Sequence, residues 1–262
     1  MTSKTISITD YSPAEDALHD KTILITGATD ELGHSLSIEL AKLGATIILL
    51  DKSVKNLETV YDDIEKNGGP QPAIFPMDLE TAGEQDYLTL TQAIADNFQQ
   101  LDGLILNHAV LGQHSPVTHT DFAQWERALK INLTANFLLL KHGSSMLNQA
   151  EQASCVYVSD QVAQQGRAYW ATYSSPKAAC LNLIETIAEE WETNTSIRLN
   201  TLDPGAINTT LRRQAFPGID PSQHLTPESG TKAFVYFMDP GISWPNGKHF
   251  RWSSADQTLT EI

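Results

Sequence analysis

Short, nearly all-apolar runs alternate along this chain with longer stretches whose apolar residues recur at helical spacing. Thr22-Ile23-Leu24-Ile25-Thr26 has the make-up of a strand buried on both faces. Leu32 to Leu43 then carries an amphipathic helical pattern that stops at Gly44, a residue suited to end a helix. Thr46 to Leu50 reads as the next strand, and Asn56 to Lys66 as a helix closed by Asn67-Gly68-Gly69-Pro70. Ala73 to Pro76, Gly103 to Leu106, Ser154 to Ser159, Ser196 to Leu202 and His249 to Trp252 complete the predicted strands, with helical patterns between them. Repeated β-α-β units of this length predict an α/β fold with a doubly wound parallel sheet and helices on both faces. No repeat, low-complexity run or long linker divides the chain. One domain is predicted over residues 21–262, preceded by an acidic N-terminal extension, residues 1–20.

Composition narrows the partners. The chain has 262 residues, enough for one large α/β domain, and a net charge of -15. Nucleic acid and anionic membrane surfaces would repel it, so neither is an expected partner. Cys155 and Cys180 lie in apolar surroundings and form neither a disulfide framework nor a metal-ligand cluster. No metal site is expected. No segment has the length of a membrane span and the N-terminus lacks a signal-peptide pattern, so a cytoplasmic location is expected.

Three local patterns carry chemistry. Gly27 follows a strand and precedes a helix, the setting in which backbone N–H groups and a helix N-terminus face a pyrophosphate. Asp51 comes directly after the second strand, where a carboxylate can hold ribose hydroxyls and repel a 2′-phosphate. That favours NAD over NADP, although Lys52 next door weakens the preference. Asp51 also reads as a solvated strand end. Tyr173 and Lys177 stand four apart, on one face of a helix, so an ammonium can lie beside a phenol. A positive neighbour lowers a phenol's pKa from about 10, and such a tyrosine can exchange a proton with an alcohol or carbonyl oxygen.

With Thr26-Gly27 and Gly33, Asp78, Asn107, Asn132, Tyr173 with Lys177, and Pro204-Gly205 with Thr209, the chain resembles the short-chain dehydrogenase/reductase family from Lys21 to about Trp252. Gln165 to Trp170, Leu101-Asp102-Gly103 and Ala215-Phe216-Pro217 resemble its bacterial YciK-like branch. The resemblance implies a single-domain Rossmann fold and hydride exchange between a nicotinamide cofactor and a small alcohol or carbonyl substrate. It implies that Tyr173 gives or takes the proton, that Lys177 lowers the Tyr173 pKa and holds the nicotinamide ribose, and that Asn132 holds a relay water. Gly27, Thr29, Gly33 and Asn107 would belong to the cofactor turn and its wall. Asp78 would meet the adenine, and Pro204, Gly205 and Thr209 the nicotinamide end. Homodimers or homotetramers are implied, built through the Tyr173 helix and its predecessor; the stretch Ala178 to Trp191 suits burial against a partner or within its own core.

Three positions depart from the family pattern. Glu31 replaces a glycine of the cofactor turn and, with Asp30, brings negative charge beside a pyrophosphate. One such charge at about 5 Å costs about 1 kcal/mol in water and several times that at lower dielectric. Asn107-His108-Ala109 stands where Asn-Ala-Gly is expected, which makes His108 either functional or a repacked wall residue. Asp160 occupies the position of the family's serine, thirteen residues before Tyr173. An ionised carboxylate cannot donate to a substrate oxygen, and a lost donor of this kind costs about 3–4 kcal/mol of transition-state stabilisation. A protonated Asp160 would restore the donor. Ser159 would do so only through a local distortion, since neighbours on a strand face opposite ways.

His114 and His119 read as loop residues, and Arg167 and Trp170 as pocket lining or helix-start packing. Thr210 to Gly230 falls where relatives carry a substrate lid. There Arg212 and Arg213 are either surface charges or an attraction for an anionic substrate. Three functions compete: an active oxidoreductase with a remodelled donor site, a catalytically impaired pseudoenzyme with a binding or regulatory role, and a different reaction with Asp160 as base.

Overall fold

The computed structural model describes residues 4–262. Seven strands lie parallel: β2 (Thr22–Thr26), β3 (Thr46–Asp51), β4 (Ala73–Pro76), β5 (Gly103–Leu106), β6 (Ser154–Val158), β7 (Arg198–Asp203) and β8 (His249–Ser253). β1 (Thr5–Ser7) and β9 (Thr258–Glu261) add antiparallel edge pairings, giving the order β1-β9-β8-β7-β6-β5-β2-β3-β4. Residues 4–20 therefore lie against the sheet, with Ile8 and Leu18 buried in its core.

Eight α-helices flank the strands: α1 (Glu31–Lys42), α2 (Val54–Lys66), α3 (Glu84–Phe98), α4 (Phe122–Leu129), α5 (Ala135–Leu147), α6 (Ala171–Glu192), α7 (Thr210–Ala215) and α8 (Pro227–Met238). The two-residue period of a strand sends alternate side chains to opposite faces. Ile23, Ile25, Ile47 and Leu49 accordingly pack with Leu36, Leu57 and Phe234 of α1, α2 and α8. Leu24, Ile48, Leu104 and Leu106 pack with Leu90, Leu139 and Ile184 of α3, α5 and α6. Both faces are covered, which is why these strands are apolar throughout.

The sheet order reverses between β2 and β5, so the loops leaving those strands diverge and open a crevice at their carboxyl ends. α4 and α5 are joined by a π-helical turn, Lys130–Thr134, which carries Asn132. π-turns of this kind re-aim a side chain within a continuous helix. Among the described residues no helix is long and apolar enough to cross a membrane, and no group of His, Cys, Asp and Glu could hold a metal ion.

Candidate active site

The crevice has two ends that meet at Asp30 and Ala109. The larger end, about 490 Å³, runs over the β2–α1 turn. Gly27 has φ +63°, and a Cβ there would fall 2.9 Å from the His108 Cα. A Cβ on Gly33 would run into the Gly27 carbonyl. Both glycines are thus required by close backbone packing. Asn107 staples the turn to β5: its Nδ2 donates to the Gly27 carbonyl at 3.1 Å and to Asp30 Oδ2 at 3.0 Å. Asp30 caps α1, accepting from the Gly33 N–H at 2.7 Å. Burial pushes its carboxyl up to about 7 against these hydrogen bonds. Asp51 accepts from the Thr29 hydroxyl at 2.8 Å and the Lys52 N–H at 2.7 Å while its edge faces the cleft. Asp78 lies across the cleft, accepting from the Glu80 N–H at 3.0 Å.

Two departures from the family pattern sit here, and both are fully engaged. Glu31 turns away from the turn and reaches α7. It accepts from the Thr210 N–H at 3.0 Å, the Thr210 hydroxyl at 2.8 Å and Arg213 at 2.7 Å. The side chain lies across the mouth of the cleft. His108 is buried, with Nδ1 2.8 Å from the Thr26 hydroxyl and Nε2 3.0 Å from the Ile131 carbonyl. Desolvation, aided by the Lys177 charge, lowers its pKa to about 3, so the ring is neutral. It is a wall residue with both nitrogens occupied.

The smaller end, about 80 Å³, holds the reactive groups: Tyr173, Lys177, Ser159, Asp160, Thr209 and Arg212. Helix spacing sets Tyr173 and Lys177 side by side, and they are only 4% and 2% exposed. Lys177 Nζ donates to the Val158 carbonyl at 2.7 Å and lies 5.6 Å from the centre of the Tyr173 ring. Lys177 is thus close enough to act on the phenol, while burial and two carboxylates act the other way. Burial raises Tyr173 well above its ordinary value, and the Asp160 and Asp203 charges raise it further. Arg212 opposes them. Burial also lowers the Lys177 pKa, against the pull of Asp160, Asp203 and Asp30.

Asn132 lies beneath this end rather than in it. Its side chain bonds the Val110 N–H and carbonyl, each at 2.8 Å. Its own carbonyl accepts from Asn136 Nδ2 at 2.8 Å and Cys180 Sγ at 3.1 Å. Pro204 and Gly205 form the floor, with Gly205 at φ +83° and its N–H bound to Asp203. Thr209 caps α7 by accepting from the Arg212 N–H at 3.1 Å.

Asp160 caps a single 3₁₀ turn through Oδ1, which accepts from the Val162 N–H at 3.1 Å. Val158, Ser159 and Asp160 all line the recess. The backbone stays extended past the end of β6, with the Ser159 N–H donating to the Leu202 carbonyl at 2.8 Å and Asp160 at φ -152°, and the turn begins at Gln161. The two α7 arginines also part company. Arg213 is bound to Glu31, Thr210 and Asn208. Arg212 enters the recess, its guanidinium 3.9 Å from the Phe216 ring centre and its Nε buried without a partner. Trp170 packs behind Tyr173, edge-on to its ring and in tilted contact with His114 and Phe216. The sequence pattern of α7, two adjacent arginines on a short helix, held no signal for this division.

The larger end fits a dinucleotide: a glycine turn with no room for a Cβ, an acid at the β3 end and apolar Leu50, Met77 and Val110 for a base. A family model, short chain dehydrogenase, matches residues 21–220. The chain belongs to the short chain dehydrogenase family. The uncharacterized oxidoreductase YciK of Escherichia coli (strain K12) is 33% identical over 228 residues, 87% of this chain and 90% of that protein. A solved structure of yciK from Escherichia coli, 32% identical, superposes with a TM-score of 0.88 over 92% of this chain and 98% of that one. A short chain dehydrogenase relative from Shigella flexneri 2a, solved in complex with NADP, is 32% identical with a TM-score of 0.88, covering 91% and 99% of the two chains. These neighbours establish an NAD(P)-type oxidoreductase fold and do not favour NAD over NADP.

Proposed function

We propose that this short chain dehydrogenase exchanges hydride between a nicotinamide cofactor and a small alcohol or carbonyl compound, with Tyr173 as the proton donor or acceptor. The observation that carries this is the buried Tyr173–Lys177 pair opening into a recess continuous with the Gly27 cleft. Burying a lysine beside a phenol costs stability, and functional sites are where such costs collect. The cofactor supplies or accepts the hydride. Gly27, Thr29, Gly33 and Asn107 shape its turn, Asp51 and Asp78 meet the adenosine half, and Pro204, Gly205, Thr209 and Lys177 hold the nicotinamide half. Tyr173, raised in pKa by burial, stays protonated at neutral pH and is primed as an acid for carbonyl reduction. Asn132 fixes the loop at Val110 that forms the adjoining wall.

Asp51 at the edge of the cleft supports NAD over NADP, because its charge opposes a 2′-phosphate; Lys52 in the same wall reduces the margin. Self-association is assigned to the α5–α6 side, where Phe137 of α5 is exposed.

One observation favours the impaired alternative. The Asp30 carboxylate occupies the α1 N-terminus, where a pyrophosphate needs free N–H groups, and Glu31 adds a second carboxylate to the lining of the same cleft. Titration with NADH and NADPH, followed by energy transfer from tryptophan, separates the two. Binding of NADH, with turnover of a carbonyl panel that falls about 100-fold or more in Tyr173→Phe, is the expected result. Failure of both cofactors to bind at millimolar concentration would replace this reading with the pseudoenzyme.

A further inference from the structure

The recess around Tyr173 lacks the hydroxyl donor that its family position would supply, since Asp160 stands there and spends one oxygen on the Val162 N–H. A carbonyl oxygen entering this space to meet Tyr173 becomes negative as hydride arrives, and needs a second donor. Two groups lining the recess have one to give. Ser159 has no hydrogen bond to its hydroxyl, but it stands at the strand end beside the floor. Arg212 approaches from α7, opposite the floor. Its backbone is fixed by the Thr209 cap, and its guanidinium rests on Phe216, itself in tilted contact with Trp170. Its Nε is buried with nothing to bond. A guanidinium donor stranded in this way costs stability unless something absent from the protein accepts from it.

Burial disfavours the charged guanidinium and Arg167 adds to that, while the Asp160 and Asp203 carboxylates stabilise it. No carboxylate comes within ion-pair distance of Arg212, so its donors are not consumed by Asp160. By contrast, Arg213 next to it has its donors bound to Glu31, Thr210 and Asn208 and cannot serve.

Resting on the oxidoreductase reading above, we infer that Arg212 is a catalytic residue that donates a hydrogen bond to the reacting substrate oxygen, in place of the missing serine hydroxyl. It transfers no proton. The proton that completes the alcohol comes from the Tyr173 phenol, and the guanidinium remains charged throughout. Its charge also offsets Asp160, which would otherwise repel the forming alkoxide. Because Arg212 sits on α7, the donor arrives only when α7 lies over the recess. Glu31, by binding Thr210 and Arg213 of α7, holds it there.

The test uses the full chain and four variants, Arg212→Met, Arg212→Lys, Ser159→Ala and Tyr173→Phe. Turnover is measured with neutral and carboxylate-bearing carbonyl compounds. Phenolate absorbance is titrated in the cofactor-free protein, with the Tyr173→Phe trace subtracted to isolate Tyr173. Arg212→Met should lower kcat about 100-fold for neutral and charged substrates alike, Arg212→Lys should recover part of it, and Ser159→Ala should change little. NADH binding should persist in all four. The Tyr173 titration should move to higher pH in Arg212→Met and stay in place in Ser159→Ala. A loss in Ser159→Ala with none in Arg212→Met would overturn the assignment. So would a loss confined to the KM of carboxylate-bearing substrates, which would make Arg212 an anion anchor. If the unmodified protein binds NADH yet turns over nothing, the oxidoreductase reading fails by itself. An unmoved Tyr173 titration would then remove Arg212 from the recess as well.

Discussion

The two ends of the crevice have both lost family residues, yet they have absorbed the losses differently. At the nucleotide end, Glu31 and His108 have every polar atom engaged: one on α7, the other between Thr26 and Ile131. At the catalytic end, Asp160 uses one oxygen on a local turn, and the Arg212 Nε has no partner. A substitution whose polar groups are satisfied within the protein is a structural replacement. One that leaves them open in a recess beside a buried Tyr–Lys pair is poised for something that binds there. The difference assigns repacking to the nucleotide end and altered chemistry to the catalytic end.

The sharpest way to break this contrast is to restore the serine. Asp160→Ser supplies a hydroxyl donor and removes a negative charge from beside Tyr173. We expect kcat for carbonyl reduction to rise about tenfold, less than the roughly 100-fold or more that one such donor is usually worth, since Arg212 already serves. The pH profile should move too. Reduction uses the protonated phenol, so it is lost as pH rises through the Tyr173 pKa. Asp160 is the leading charge that raises that pKa, so removing it brings the alkaline fall to lower pH. An unchanged rate and profile in steady-state assays would mean that Asp160 does not face the reaction, and the contrast between the ends would collapse.

Much of this frame is legible in the sequence, for definite reasons. Strands β2, β3, β5 and β6 are largely apolar because both faces are covered, and that pattern is visible in the residues. The Gly27 turn is legible because close backbone approach admits only glycine, and the Tyr173–Lys177 pair because helical spacing is local. β1 and β9 escaped notice: three and four residues of mixed polarity at a sheet edge carry no periodic signal. Contacts between distant segments were equally hidden. Glu31 meets Thr210 across nearly the whole domain, and no local rule says that Arg213 binds it while Arg212 does not. The effect of burial on Tyr173 was hidden too, because spacing shows a neighbour but not the loss of water.

Asp30 sharpens the comparison from the nucleotide side. It is satisfied by Gly33 and Asn107, yet it carries charge where a pyrophosphate would lie. Asp30→Asn keeps a cap and removes that charge. NADH should bind about fivefold more tightly, the worth of one charge at roughly 5 Å in a well-solvated cleft. The stability profile supplies a second readout. Burial raises the folded pKa to about 7, above an unfolded value near 4, so the folded chain holds this proton more firmly. That contribution is full below about pH 4 and is lost as pH rises through about 7. In urea titrations, Asp30→Asn should therefore lack the decline across this range. A decline of equal depth in both proteins would show that Asp30 ionises freely, which leaves it fully charged at pH 7 and a larger obstacle to the cofactor.

The smallest effect belongs to Glu31, whose contacts are about one-third exposed and screened by solvent. Glu31→Gln keeps the size and much of the hydrogen bonding to Thr210 while removing the charge that meets Arg213. The loss of stability should be about 0.5 kcal/mol at pH 7, as for other part-exposed ion pairs. Its pH dependence runs opposite to that of Asp30. Partial burial alone would raise the Glu31 pKa, but hydrogen bonds from Thr210 and Arg213 outweigh it and hold the carboxyl below its ordinary value. The contribution is therefore present above the unfolded value, near 4.3, and fades as pH falls through the lower folded one. The unmodified chain and Glu31→Gln should converge in stability on acidification and separate again at neutral pH. Because the charge sits on α7 rather than on the cofactor turn, NADH affinity should change less than in Asp30→Asn. A larger gain in affinity from Glu31→Gln than from Asp30→Asn would place the Glu31 charge against the pyrophosphate after all, and its bond to α7 would be a resting position that the cofactor displaces.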